Sequence, residues 1–272
     1  MKRILFFLLC FCVCIRSACA TSPENAAERS VESRIAIISA MENEVKLLLS
    51  QAEIDHIDTI GGVDFHVGTL CNRNVVIAKA GIGKVLSASG ASAMLCQFPV
   101  SFLIFTGIAG GVGDETHVLD ITIATELVQH DYGMQTKDGF IWTPSRSGVE
   151  GYYFCDEELV NAAYQASVEV VGEEHTFNGL IATGDQFIAS ESYVRYLQES
   201  FGALACEMEG ASVAAVCEHY GIPYVIIRSM SDKADGNAIE SIVNMGDNAA
   251  DRSGRIVMKM LEDMGKAEAE AE

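Results

Sequence analysis

The chain has 272 residues, of which 49% are hydrophobic and 21% charged, and its net charge is −20. These values fit a folded globular protein of one large domain or two small ones. A surface this acidic repels nucleic-acid phosphates and anionic lipid, so nucleic acid is excluded as a partner, and neutral or cationic small molecules or proteins are favoured.

Residues 1–20, MKRILFFLLCFCVCIRSACA, read as a secretory signal peptide: Lys2 and Arg3, an apolar run from Ile4 to Ile15, then the A-x-A pattern Ala18-Cys19-Ala20. The run is short for a transmembrane span. Export to the periplasm or the cell exterior is expected. Lipid attachment at Cys19 is a second reading, opposed by Arg16, and would be the sole link to a membrane. Cleavage removes Cys10, Cys12, Cys14 and Cys19 and leaves Cys71, Cys96, Cys155, Cys206 and Cys217, an odd, widely spaced set without C-x-x-C. Neither a disulfide framework nor a zinc site is expected, and the H-x-E and P-C-x-x-C pair of a nucleobase deaminase is missing. No metal or cofactor is implied.

Residues 21–33 form a polar leader. RIAIISA (34–40) is a buried strand leading into a helix in which Val45, Leu48 and Leu49 have helical spacing. NVVIAKAGIG (74–83) is a second strand ending in glycines, followed by the small-residue helix KVLSASGASAMLCQF. SFLIFTGIAGG (101–111) is a third such strand, and VLDITIATELVQHD (118–131) reads as a strand pair. Residues 157–170 form an amphipathic helix. NGLIATGDQFIAS (178–190) is a strand and glycine turn before a helix over 191–199. A helix over 211–220, Pro223, the strand YVIIRSMSD and a helix over 243–264 follow. Residues 265–272 form an acidic tail, read as a frayed helix end.

Continuous apolar strands alternating with helices predict a single α/β domain over 34–264, with a central mixed, largely parallel β-sheet flanked by helices. In such folds ligands bind beyond the carboxyl ends of the strands. The polar motifs SAMENE, AGIGK, TGIAGG, TGDQF, CEMEG and RSMSD all fall at predicted strand ends. In CEMEG, strand alternation puts Glu207 and Glu209 on one side and Met208 on the other. The pair reads either as acids at a helix N-terminus or as acceptors for a diol such as ribose. Arg228 is placed to neutralise one of them. Asp232 reads either as a turn cap or as a general acid with a pKa raised by burial. Glu42 and Glu44 open a helix, where acids are common for electrostatic reasons alone. The glycine turns match neither the P-loop nor G-x-G-x-x-G.

In order, AIISAMENEV, AGIGKV, TGIAGG, ATGDQFI, CEMEG and IRSMSDKAD resemble the 5′-methylthioadenosine/S-adenosylhomocysteine nucleosidases of the purine nucleoside phosphorylase superfamily. The resemblance covers about residues 34–264; E-M-E followed by R-x-x-S-D is its most specific part. It implies a nucleoside phosphorylase-like fold and hydrolysis of the N-glycosidic bond of methylthioadenosine, S-adenosylhomocysteine and related adenine nucleosides. The products would be adenine and the 5′-substituted ribose. By the same resemblance, Asp232, oriented by Ser231, protonates N7 of adenine, and Glu44 positions and deprotonates the attacking water. Glu209 holds the ribose hydroxyls, and its charge stabilises a ribosyl cation. Met208 packs beside the ribose, with Glu207 and Arg228 in support. Phe187 stacks on adenine, the backbone of Ile188 reads its edge, and Ala109 and Gly110 line the site. The family implies a homodimer in which a loop of one subunit closes the pocket of the other, with HDYGMQTKDGFIW (130–142) as that loop here. The 5′ pocket is assigned to scattered apolar residues that include Val85 and Ile242.

Two features depart from the pattern. Ile108 stands where the family often has Ser, and most relatives carry no signal peptide, so an exported enzyme would meet scavenged nucleosides. Two other functions compete. A phosphorylase needs arginines for phosphate, yet the quoted motifs hold a single arginine, Arg228, beside Lys84 and Lys233, and the glycine turns carry none. An exported, non-catalytic nucleoside-binding or surface-interaction protein would have no need of Glu44 and Asp232 together.

Overall fold

The computed structural model describes residues 33–143 and 151–271. Residues 1–20, read above as a signal peptide, and all but the last residue of the expected polar leader lie outside the described residues.

The chain begins with β1 (Arg34–Ser39) and α1 (Glu42–Gln51). There follow β2 (Glu53–Ile60), β3 (Val63–Leu70), β4 (Arg73–Lys79) and α2 (Lys84–Gln97). Next come β5 (Val100–Gly111), β6 (Ile121–Gln129), the hairpin β7 (Gly133–Thr136) and β8 (Gly139–Trp142), and β9 (Tyr152–Phe154). The last part holds α3 (Glu157–Val171), β10 (Thr176–Thr183), α4 (Glu191–Phe201), β11 (Ala205–Glu207), α5 (Gly210–Tyr220), β12 (Tyr224–Asp232) and α6 (Ala238–Ala271).

Ten strands form one sheet in the order β11-β10-β6-β12-β5-β1-β4-β3-β2, with β9 alongside β6. The pairs β1–β4, β1–β5, β12–β5, β10–β6 and β10–β11 are parallel; β12–β6, β2–β3, β3–β4 and β6–β9 are antiparallel. The sheet is therefore mixed and largely parallel at its centre, as expected. The short β11 also pairs antiparallel with β5, Ala205 opposite Gly111 and Cys206 opposite Gly110. That second pairing closes β11, β10, β6, β12 and β5 into a ring and brings their ends together.

The continuous apolar strands are buried on both faces: β12 at every position and β5 over Phe102–Ala109. Helix α6 packs on α1, α3, β5 and β12, whereas α2 packs on α5. Each fully buried Leu or Ile contributes roughly 1.5–3 kcal/mol. One of the largest fully buried side chains is polar: Arg228, with its guanidinium 4.6 Å from the centre of the Phe105 ring. The five cysteines among the described residues are free; Cys155, Cys206 and Cys217 are buried, and Cys96 is exposed.

One pair of strands was missed, and two sequence expectations need correction. The antiparallel pair β2–β3 was not expected. EIDHIDTI is exposed or half-buried along the sheet edge, so its composition resembles a polar linker. The usable signal was Gly61-Gly62, both at positive φ, which makes the two-residue hairpin turn. Residues 118–131 hold one strand, not two, because Leu119 turns the chain at φ +74 before β6 starts. The last helix begins at Ala238 and continues through the acidic tail to Ala271. That tail is tied down: Arg73 donates to both carboxylate oxygens of Glu268, at 2.6 and 2.8 Å. Among the described residues, no helix is long and apolar enough to cross a membrane.

Candidate active site

The carboxyl ends of β1, β5, β11 and β12 and the starts of α1 and α5 surround a cavity of about 150 Å³. Glu44, Glu209, Ser231 and Asp232 supply its polar wall; Met41, Ile82, Ile108, Phe187, Met208 and Ile242 supply its apolar wall.

Glu44 sits in the first turn of α1 and folds back over it. One carboxylate oxygen accepts from the N–H groups of Ala40 (2.9 Å) and Met41 (2.8 Å), and the other from Ile108 N–H (2.8 Å). Burial pushes its pKa up, against the pull of Arg228 and of those three N–H groups.

Arg228 lies beneath the cavity and does not line it. Its Nη2 donates to Glu207 and to Glu209 (3.2 Å), its Nη1 donates to the Ile108 carbonyl (3.3 Å), and Glu44 is 3.8 Å away. One buried guanidinium thus faces three buried carboxylates, and the pocket floor carries an excess of negative charge whenever all three are ionised.

The two glutamates of CEMEG do different work. β11 ends at Glu207, so strand alternation does not govern Glu209, which lies just outside the strand at the start of α5. Glu207 lines the cavity, but both of its oxygens have protein partners. It accepts from Thr183 Oγ1 and Arg228, and from the N–H groups of Glu209 (3.1 Å) and Gly210 (2.7 Å). It anchors the helix start. Glu209 accepts only from Gly83 N–H (2.8 Å) and weakly from Arg228, which leaves acceptor capacity facing the cavity. Burial raises its pKa to about 7; Arg228 opposes the shift and Glu207 adds to it.

Asp232 ends β12. Its Oδ2 accepts from Ser231 Oγ and its Oδ1 from Ala234 N–H, both at 2.7 Å. Burial raises its pKa against both hydrogen bonds. Phe187 stands at the mouth, 47% exposed, while Ile188 turns away into a cluster with Val112, Leu197 and Ala234.

The expected residues Glu44, Glu207, Met208, Glu209, Ala109, Gly110, Phe187, Ser231, Asp232 and Ile242 line this one cavity. Arg228 and Ile188 lie behind it, and Val85 is exposed rather than lining. Sequence reasoning did not single out Met41, Ile82, Gly83 or Thr183, although all but Thr183's partner choice was legible in the quoted motifs. Among the described residues, no group of three His, Cys, Asp or Glu side chains could hold a metal ion.

The model of the Phosphorylase superfamily matches residues 34–262. A 5′-methylthioadenosine/S-adenosylhomocysteine nucleosidase of Geobacillus thermodenitrificans is 39% identical over 229 residues, 84% of this chain and 96% of that protein. One from Shewanella halifaxensis is 35% identical over 222 residues, 80% of this chain and 95% of that protein. The crystal structure of the Neisseria meningitidis nucleosidase in complex with methylthio-immucillin-A superposes with a TM-score of 0.79. It is 32% identical and covers 85% of this chain and 100% of that one.

Proposed function

This chain belongs to the Phosphorylase superfamily, among its 5′-methylthioadenosine/S-adenosylhomocysteine nucleosidases, and from that membership we propose how its residues carry out the hydrolysis of adenine nucleosides. The enzyme is an N-glycosidic hydrolase. The bond between C1′ of the ribose and N9 of adenine breaks, and its electron pair leaves with the base. Asp232, whose carboxyl burial keeps protonated to higher pH, delivers its proton to N7. Glu44 takes a proton from the water that adds to C1′, with its raised pKa making it the stronger base. Glu209 accepts from the ribose hydroxyls.

The observation that carries this reading is the imbalance of one guanidinium against three buried carboxylates beside the cavity. A ribosyl cation forming there supplies the missing positive charge, so the electrostatic gain is realised in the transition state. Phosphorolysis is not favoured: no Lys or Arg lines the cavity, and Arg228 is already shared among carboxylates. The Ile108 departure is tolerable on this reading, because Ile108 serves Glu44 and Arg228 through its backbone while its side chain packs with Ala249, Ala250 and Ile242.

The test is adenine release from methylthioadenosine, with and without phosphate, with the sugar product identified. Free methylthioribose independent of phosphate supports the reading; a sugar 1-phosphate formed only with phosphate overturns the role of Glu44.

The homodimer is also part of the proposal. Tyr132, Met134, Phe140 and Ile141 on and beside the β7–β8 hairpin are exposed apolar residues that a second subunit would cover. Export rests on residues 1–20, either as a cleaved, free protein or as one tethered at Cys19; N-terminal sequencing and sedimentation of the secreted protein test both.

A further inference from the structure

Glu209 is held by a turn that has little preference of its own. Gly83 donates its N–H to Glu209 at φ +93, a backbone state open essentially to glycine alone. What fixes that turn is a ring of three residues outside the cavity lining. Asp131 Oδ1 accepts from Lys84 Nζ (2.6 Å), and Asp131 Oδ2 accepts from Asp185 N–H (2.8 Å). Asp185 Oδ1 in turn accepts from Lys84 N–H (2.8 Å). Lys84 Nζ also reaches Gln129 (3.3 Å), and His130 N–H donates to the Thr183 carbonyl (3.0 Å), which fixes Asp131 against the strand ends. The Lys84 and Asp131 side chains are 17% and 16% exposed, so solvent screens the pair only weakly.

We propose that Asp131 is a positioning residue for the sugar: through Lys84 and Asp185 it locks the Gly83 N–H onto Glu209 and sets the turn that carries Phe187. The proposal rests on the reading of Glu209 as the ribose acceptor. Both turns tied by Asp131 serve the cavity: Gly83, which donates to Glu209, precedes Lys84, and Phe187, which lines the cavity, lies two residues beyond Asp185. A small misplacement of a positioned group costs up to about a hundredfold in rate, and it falls on whatever that group recognises. Asp131→Asn replaces one acceptor oxygen with an NH2 donor, so one of its two donors, Lys84 Nζ or Asp185 N–H, loses its partner. Glu209 would keep its charge and lose its fixed direction, and the enzyme would lose its ability to tell ribose from deoxyribose.

The experiment measures kcat/KM for methylthioadenosine and for its 2′-deoxy and 3′-deoxy analogues in the wild type, Asp131→Asn, Lys84→Met, Lys84→Arg and Glu209→Gln. Intrinsic differences in bond lability cancel when sugar ratios are compared between proteins. Asp131→Asn and Lys84→Met are expected to reduce the ribose preference by roughly fivefold or more, as Glu209→Gln does, while Lys84→Arg, which keeps the cation, stays within about twofold of wild type. Equal loss on all three sugars, or no loss, in Asp131→Asn overturns the proposal; if that variant does not fold, Lys84→Met decides in the same way. A wild type without ribose preference, or Glu209→Gln with the preference intact, overturns the clamp role of Glu209 itself and is distinguishable from failure at Asp131 alone.

Discussion

Glu44 and Arg228 are joined through a single residue: Ile108 donates its N–H to Glu44 at 2.8 Å and offers its carbonyl to Arg228 at 3.3 Å. The base and the buried cation are thus set by the end of β5, and the side chain at position 108 takes no polar part. Glu44→Gln keeps the size of the side chain but cannot accept a proton, and its NH2 would face an N–H donor. A loss of at least about a hundredfold in kcat is expected for a general base, with KM changed far less. Steady-state adenine release decides it, and a near-normal kcat removes Glu44 from the chemistry.

Asp232→Asn removes the acid and retains an oxygen acceptor for Ser231 or Ala234. The expected loss is again at least about a hundredfold in kcat. The wild-type profile follows from both shifts. Asp232 must be protonated and its pKa is raised, so activity falls as pH climbs past that pKa; Glu44 must be ionised, so activity falls in acid. The rate profile should be bell-shaped, and Asp232→Asn should lose the alkaline limb. Retention of that limb assigns it to another group.

How much of this site was legible depended on where each contact runs. β1, β5 and β12 were readable because they are unbroken apolar runs ending in polar motifs, and Glu44 and Asp232 stand in those motifs, while Glu209 was legible from CEMEG itself. β11 was not separable from its surroundings, since it is three residues long and owes its existence to pairing with β5 and β10. The division of labour between Glu207 and Glu209 was likewise hidden. It follows from Thr183 and Arg228 converging on Glu207, which are contacts 24 and 21 residues apart in the chain. The β2–β3 pair was missed because an edge strand carries polar residues to discourage edge-to-edge pairing.

Arg228→Met should be damaging beyond catalysis. It leaves Glu44, Glu207 and Glu209 buried without their shared cation, and breaking a buried ion pair on one side costs about 3–5 kcal/mol. Chemical denaturation at neutral pH is expected to show at least that loss. A midpoint unchanged from wild type would mean that the carboxylates are neutral without it.

Glu209→Gln should do the reverse at alkaline pH. A carboxyl whose folded pKa is raised, here to about 7 from an ordinary 4.5, adds stability below the unfolded pKa and loses it as pH rises through the folded value. The neutral glutamine avoids that loss. Between pH 5 and pH 8 the variant should therefore gain roughly 1–3 kcal/mol relative to wild type while its turnover falls by about a hundredfold or more. Unfolding midpoints of both proteins across this range measure the gap. A gap that stays constant with pH shows that Glu209 is ionised throughout and that its charge is fully compensated by Arg228 in the folded enzyme.

Gly83→Ala tests the support of the sugar acceptor without removing a charged group. At φ +93 any side chain is strained, and a Cβ would meet the Asp185 carboxylate at 3.0 Å. Backbone strain of this kind costs about 1–3 kcal/mol, and relief by rotation would swing the Gly83 N–H away from Glu209. The lost hydrogen bond goes to a charged acceptor, where such bonds contribute about 1.5–3 kcal/mol. A fall of roughly ten- to a hundredfold in kcat/KM is expected, concentrated on substrates with an intact ribose. Because the Gly83 N–H donates to Glu209 and to neither Glu44 nor Asp232, the shape of the pH profile should be that of the wild type. A shifted profile would place Gly83 in the proton chemistry, and an unchanged kcat/KM would show that Glu209 keeps its direction without the Gly83 N–H.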